Sequence, residues 1–202
     1  MKKKLTCTLF SVFMVLTLTA CGESKESRQE YIDNLQNFNT VVLDGAVIAE
    51  TQCNLTKSVW YDTIYQELNE DTYKYTVRPE ILEENDTYAY IRGYYTANDN
   101  IFNDDFNISL SRLYKDESTQ ETIATLSENC EKVSELLGAL SNPSDEFASC
   151  FSTVEDLYSA HYNFTNLAIS PSGSLQSFTE DFQMYDSLTI ELYNKLGALI
   201  PD

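Results

Sequence analysis

The chain has 202 residues, 13 basic and 32 acidic, and a formal net charge of −19. So acidic a surface lacks the basic stripes that phosphate backbones require, which excludes nucleic acid as a partner. The length suits one domain with a well-filled core.

The first element is a leader. Lys2, Lys3 and Lys4 precede an apolar segment, Leu5 to Thr17. A bilayer-spanning helix needs roughly 20 apolar residues, and this segment is too short and too rich in Ser and Thr. Positive start, short apolar run and small residues are the pattern of a cleaved export signal. The run closes on Leu18-Thr19-Ala20-Cys21, which resembles the lipobox of bacterial lipoproteins. The resemblance implies a cut before Cys21, a diacylglyceryl group on its thiol, and a palmitate-type membrane anchor on the extracytoplasmic face. Residues 1–20 are then a lipoprotein signal peptide and 21–202 the anchored domain. A leader carries its three lysines away and leaves the domain more acidic still, so it is repelled by anionic headgroups within a Debye length of roughly 8 Å.

From Tyr31 apolar residues recur as Leu35, Phe38, Val42, Ala46, Ala49, Cys53 and Trp60. Steps of three and four mark one helical face, extending to about Tyr65. Gly45 and Ala46 are small enough for another helix to approach closely. Residues 66–102 break the rhythm and hold Tyr73, Tyr75, Tyr88, Tyr90, Tyr94 and Tyr95. Tyr73-Lys-Tyr-Thr-Val77 and Tyr88-Ala-Tyr-Ile-Arg92 alternate weakly, which predicts a small β-hairpin. Asn103 reads as the cap of a second helical stretch carrying Phe106, Leu110 and Leu113. Ile123, Leu126, Cys130, Val133, Leu137 and Leu140 set another stripe, so either the helix kinks or a new one starts, with Ser118 and Glu121 as a capping box. Asn142-Pro143 ends it. Ser144 opens a third helix through Phe147, Cys150, Val154, Leu157, His161, Phe164 and Ala168. Pro171 and Gly173 mark a turn. Leu175, Phe178, Phe182, Tyr185, Thr189, Leu192, Leu196 and Leu199 form the fourth.

The pattern predicts an all-α fold: an antiparallel four-helix bundle with a Tyr-rich, hairpin-bearing insertion between the first and second helices. In an up-down order the insertion and the 170–174 loop share the membrane-distal end. The Asn142-Pro143 turn and the C-terminus share the end near Cys21.

Catalytic and cofactor patterns are missing. The single histidine, His161, lies on an apolar stripe, and the Glu-x-x-His pairs of di-iron bundles are absent, Tyr158 standing three residues before it. A calcium loop counted from Asp99 puts Ile101 where an oxygen ligand is needed. Gly-rich phosphate loops and nucleophile elbows do not occur. Cys53, Cys130 and Cys150 fall on helical core positions and read as buried free thiols. The reading is therefore a non-enzymatic protein with no metal and no cofactor. Tyrosine offers contact area at low entropy cost, so the six tyrosines of the insertion are the candidate contacts for a surface protein or envelope component. The plainer reading of the same rings is that they close the bundle's open end. The backbone N–H groups after Ser170-Pro-Ser-Gly-Ser174 are a candidate anion site, or are taken up by ordinary serine capping.

Ser58-Val-Trp-Tyr61, Ile64-Tyr65, Asn142-Pro143, Leu157-Tyr158, Leu167 and Pro171-Ser-Gly-Ser-Leu-Gln-Ser-Phe178 resemble small, uncharacterised helical surface lipoproteins of Gram-positive bacteria. That resemblance implies a compartment and an all-α fold, and no active residues. An alternative role is a small-molecule-binding accessory of a transporter, although solute-binding lipoproteins alternate strand and helix, a pattern this chain lacks.

Overall fold

The computed structural model describes residues 25–96 and 99–201. Leu18, Thr19, Ala20 and Cys21 lie outside the described residues. The described chain is all-α, with no strand among its residues.

Helix α1 (Lys25–Tyr65) has 41 residues, a length of roughly 60 Å at 1.5 Å per residue. Its stripe is the expected one: Leu35, Phe38, Val42, Ala49, Cys53 and Trp60 are all buried. Three short helices follow: α2 (Tyr73–Thr76), α3 (Pro79–Glu84) and α4 (Tyr88–Tyr94). Then come α5 (Phe106–Leu113), α6 (Glu117–Leu140), α7 (Ala148–Ile169) and α8 (Leu175–Leu199). The break between Leu113 and Ile123 is a new helix. Asp116, not Ser118, caps α6 and accepts from the Ser118 backbone N–H. Ser144 makes no capping hydrogen bond, and a 3-10 turn at Asp145–Phe147 leads into α7.

The expected hairpin is not formed. Its two segments are the helical turns α2 and α4, and the only extended pairing among the described residues is an isolated bridge between Val77 and Phe102. Alternation over five residues is a weak signal. Here Tyr75, Thr76 and Val77 are buried in succession, which a strand alternating between core and solvent does not do.

The four long helices pack on one another: α1 and α7 each touch the other three, with α6 and α8 on either side of the α1–α7 pair. At one end the Tyr31 hydroxyl donates to the Leu140 carbonyl at 2.9 Å, Arg28 pairs with Glu146 at 2.7 Å, and the Cys150 thiol lies 3.4 Å from the Leu199 carbonyl. The start of α1, the 141–147 turn and the end of α8 are thus neighbours. At the other end Trp60 stacks on Phe106 and leans on Phe178, and the Tyr114 hydroxyl donates to the Ala168 carbonyl at 2.7 Å.

Two apolar clusters fill the body. One gathers Tyr31, Leu35, Phe38, Val42, Val133, Leu140, Phe147, Leu157 and Leu196. The other gathers Ala46, Ala49, Cys53, Trp60, Leu126, Phe164, Phe178 and Phe182. Each fully buried large side chain contributes about 1.5–3 kcal/mol. Between the clusters lies a polar layer. His161 is buried, and its Nε2 has no hydrogen-bond partner among the described residues, nor has Asn129 Oδ1. Asn129 donates through Nδ2 to the Val41 carbonyl at 2.8 Å. Both groups face Gly45, where an added Cβ would sit 2.1 Å from Asn129 Oδ1 and 2.5 Å from His161 Nε2. At Gly45, therefore, side chains of α6 and α7 press directly on the α1 backbone. Burial alone depresses the His161 pKa from 6.5 to about 4, which keeps the ring neutral.

Candidate functional site

The insertion expected to hold the functional surface forms a small helical cap with an apolar cluster of its own. Pro79 starts α3 at a position where a missing N–H costs nothing. Val77, Ile91, Ile101 and Phe102 form its core, with Leu68, Tyr73, Ile81, Leu82, Tyr90 and Tyr95 packed around it. The Val77–Phe102 bridge closes the segment: Arg78 N–H donates to the Ile101 carbonyl at 2.8 Å and Asn103 N–H to the Thr76 carbonyl at 2.9 Å.

Polar ties fix this cap to the long helices. Asn103, expected as a helix cap, is buried instead. Its side-chain amide donates to the Tyr75 carbonyl and to Ser109 Oγ, each at 2.8 Å, and Asp105 caps α5 in its place. Thr72 donates to Asp62 on α1 at 2.6 Å. Burial raises the Asp62 pKa, and the Thr72 hydrogen bond partly offsets this. The Arg112 guanidinium on α5 donates to the carbonyls of Lys74, Tyr75 and Val77. It satisfies the end of α2, a four-residue helix far too short to stand without tertiary support.

Arg112→Met keeps the apolar stem and removes the donors. Hydrogen bonds to a charged group contribute about 1.5–3 kcal/mol, so the cap should loosen while the long helices persist. Limited proteolysis should cleave the variant within residues 67–102 well before the wild type, with the helical circular dichroism largely retained. Equal cleavage rates would show that Arg112 does not hold the cap.

The six tyrosines separate into three groups. Tyr75 is 4% exposed and packs with Val59 and Leu113 where the cap meets α1 and α5; it is a joint and cannot reach a partner. Tyr73 and Tyr88 are half-buried neighbours, ring centroids 5.5 Å apart and planes at 51°. The Tyr73 hydroxyl donates to the Asp86 carbonyl at 2.7 Å, which pins the ring. Together they line an open groove of about 540 Å³ with Glu70, Asp86, Thr87 and Ala89. Tyr90, Tyr94 and Tyr95 form a separate stack: Tyr90 and Tyr94 lie face to face at 5.2 Å, and Tyr95 meets Tyr94 edge-on at 5.1 Å. Tyr95 also donates to Glu84 at 3.2 Å, and Tyr94, 65% exposed, is the outermost ring.

The sequence reading missed a second aromatic surface. Tyr61, Ile64 and Tyr65 at the end of α1 are exposed, with the Tyr61 and Tyr65 rings 4.4 Å apart. A depression of about 340 Å³ beside them is lined by Lys57, Ser58, Tyr61, Asp62, Leu175 and Thr179. The available signal was register for the two rings: Tyr61 and Tyr65 are an i, i+4 pair beside the stripe that ends in Trp60, so a helix that buries Trp60 turns them outward, whereas Ile64, one turn past Trp60 on the same face, gave no such signal.

The other candidates are accounted for by structure. Asp99 accepts from the Thr96 N–H and hydroxyl, a turn role. Ser174 and Ser177 cap one another in a reciprocal box at the start of α8, so two of the N–H groups considered for an anion, those of Ser174 and Ser177, are used internally. Gly173, at φ 90°, makes the preceding turn. Cys53, Cys130 and Cys150 are free. Burial, with Asp186 adding, pushes the Cys53 thiol up to about 12, far from a reactive thiolate. Among the described residues no group of His, Cys, Asp and Glu could hold a metal ion, and no helix is long and apolar enough to cross a membrane. Comparison of the chain with protein-family models, curated proteins and solved structures finds no match.

Proposed function

We propose that this chain is a bacterial lipoprotein held on the extracytoplasmic face of the cell membrane by a diacylglyceryl group on Cys21. We read it as a non-enzymatic interaction module that contacts a surface protein or envelope component. Its scaffold, on this reading, is an antiparallel four-helix bundle carrying a helical, Tyr-rich cap. The observation that carries the proposal is the ordered run of Lys2-Lys3-Lys4, a short apolar segment and Leu18-Thr19-Ala20-Cys21. Two acyl chains hold a protein stably where one does so only marginally. Only three residues separate Cys21 from the start of α1 at Lys25, a short tether. The cap and the Tyr61–Tyr65 face lie at the opposite end of α1, so an anchor at Cys21 directs them away from the bilayer. The strong negative charge keeps the body off anionic lipid.

A second reading, a small-molecule-binding accessory of a transporter, is favoured by one observation, the groove between Tyr73 and Tyr88.

The anchor is tested by Cys21→Ser. Fractionated cells should show the wild type in membranes and the variant released or retained as unprocessed precursor, and mass spectrometry should find a diacylated Cys21 as the mature N-terminus. An unlipidated N-terminus on the wild type sinks the lipoprotein reading. The interaction role is tested by crosslinking on living cells, with and without residues 67–102. Capture that survives the deletion in a folded protein moves the contact away from the cap.

A further inference from the structure

The groove at the tip of the cap has a chemistry that selects its ligand. Its walls are two tyrosine rings, Tyr73 and Tyr88, and two carboxylate side chains, Glu70 and Asp86, with no basic side chain among the described residues lining it. The nearest basic neighbour in sequence, Lys74, is turned elsewhere: it sits over the Tyr75 ring at 4.7 Å and 3.7 Å from Asp116. The face of an aromatic ring is negative, and a cation within about 6 Å of its centroid is attracted, more strongly when partly desolvated. The two rings touch one another, centroids 5.5 Å apart and planes at 51°, so a cation seats against the outer side of the pair, from the groove, and not between them. The ring of Tyr73 is held by its bond to the Asp86 carbonyl, so that half of the pair is set before a ligand arrives and less entropy is lost on binding.

We propose that this groove binds a small organic cation, an alkylammonium or quaternary ammonium group, with Tyr73 and Tyr88 contacting its apolar surface and Glu70 and Asp86 supplying counter-charge. An inorganic cation is a poorer fit, because a strongly hydrated ion gains little from the rings. Anions are disfavoured by the carboxylates and by the formal net charge of −19. The inference deepens the binding role proposed above but does not need the lipid anchor.

The test is titration of the full-length chain, purified in a neutral maltoside detergent, with choline and with its uncharged isostere in which carbon replaces the nitrogen. Binding is read by isothermal calorimetry and by changes in tyrosine fluorescence. Choline should bind and the isostere should bind at least about tenfold more weakly. Tyr88→Ala should weaken choline binding by about tenfold, and Tyr88→Phe, which keeps the ring, should retain it within about twofold. Glu70→Gln with Asp86→Asn should weaken it by about fivefold and leave residual binding insensitive to salt. Circular dichroism of each variant confirms its folding. Equal binding of choline and its isostere, binding unaffected by Tyr88→Ala, or no saturable binding of choline overturns the assignment. Those outcomes leave the Cys21 anchor and partner capture by the cap untouched, since both are measured separately.

Discussion

Gly45→Ala should destabilise the protein by about 1–5 kcal/mol, although the same change stabilises most helices. Alanine gains about 1 kcal/mol over glycine in a helix interior. Against that, the new methyl would lie 2.1 Å from Asn129 Oδ1 and 2.5 Å from His161 Nε2. Overpacking of this kind costs about 1–3 kcal/mol. Asn129 must also swing away, and it then gives up its 2.8 Å bond to the Val41 carbonyl, worth a further 1–3 kcal/mol, approximately, when a buried group is left unpaired. The check is urea unfolding of Gly45→Ala, Asn129→Ala and the double variant. If the clash is with Asn129, the double variant is more stable than the sum of the singles implies, since residues in contact couple by about 0.5–3 kcal/mol. Strict additivity would mean that α1 and α6 are not in the close contact described.

This contact also shows where sequence reading reaches and where it stops. The long helices are legible because each buries a continuous stripe, and a stripe repeating over four or more turns accumulates signal. Small residues at Gly45 and Ala46 announced a close approach. Nothing local, however, says which helix approaches or that Asn129 and His161 meet there. The cap failed for the related reason that its structure is held from outside. α2 has four residues, and its carbonyls are taken by Arg112, far along the chain. Tyr73-Lys-Tyr-Thr-Val77 carries no instruction to form a helix until that guanidinium arrives. The six tyrosines drew attention through composition alone, and composition cannot separate Tyr75, which joins the cap to α1, from Tyr88, which lines a groove. The turn before α8 was legible because serine capping is a local rule, satisfied within Ser174–Ser177.

Acidification should destabilise the protein through His161. In the unfolded chain this histidine titrates near 6.5, and in the folded protein burial lowers it to about 4. Above pH 6.5 the ring is neutral in both states and contributes nothing to the pH dependence. Between 6.5 and 4 the unfolded state binds the proton and the folded state does not, so stability falls as pH falls. Below 4 both states are protonated and the loss is complete, at a ceiling of about 3 kcal/mol from a displacement of this size. Asp62 and Asp186 act in the opposite sense, since burial raises both: folding favours their protonated forms, so acid strengthens the protein as they take up protons in the carboxylate range. The histidine contribution is therefore read as a difference. Urea midpoints of the wild type and His161→Leu, measured from pH 7.5 to 4.5, should converge or cross as pH falls, the wild type losing about 2 kcal/mol relative to the variant over that window. Titration of the single histidine by NMR supplies an independent value. A folded-state pKa near 6.5, or parallel pH profiles for the two proteins, would mean that the ring reaches solvent and that the layer between the two apolar clusters is not sealed. If the layer is sealed, the same neutral ring that makes the fold acid-sensitive also keeps α1 and α7 in register at Gly45. A one-turn slip of α1 would set the ring against Val41 or Ala49 in place of Gly45, where a Cβ stands in the space that the ring occupies.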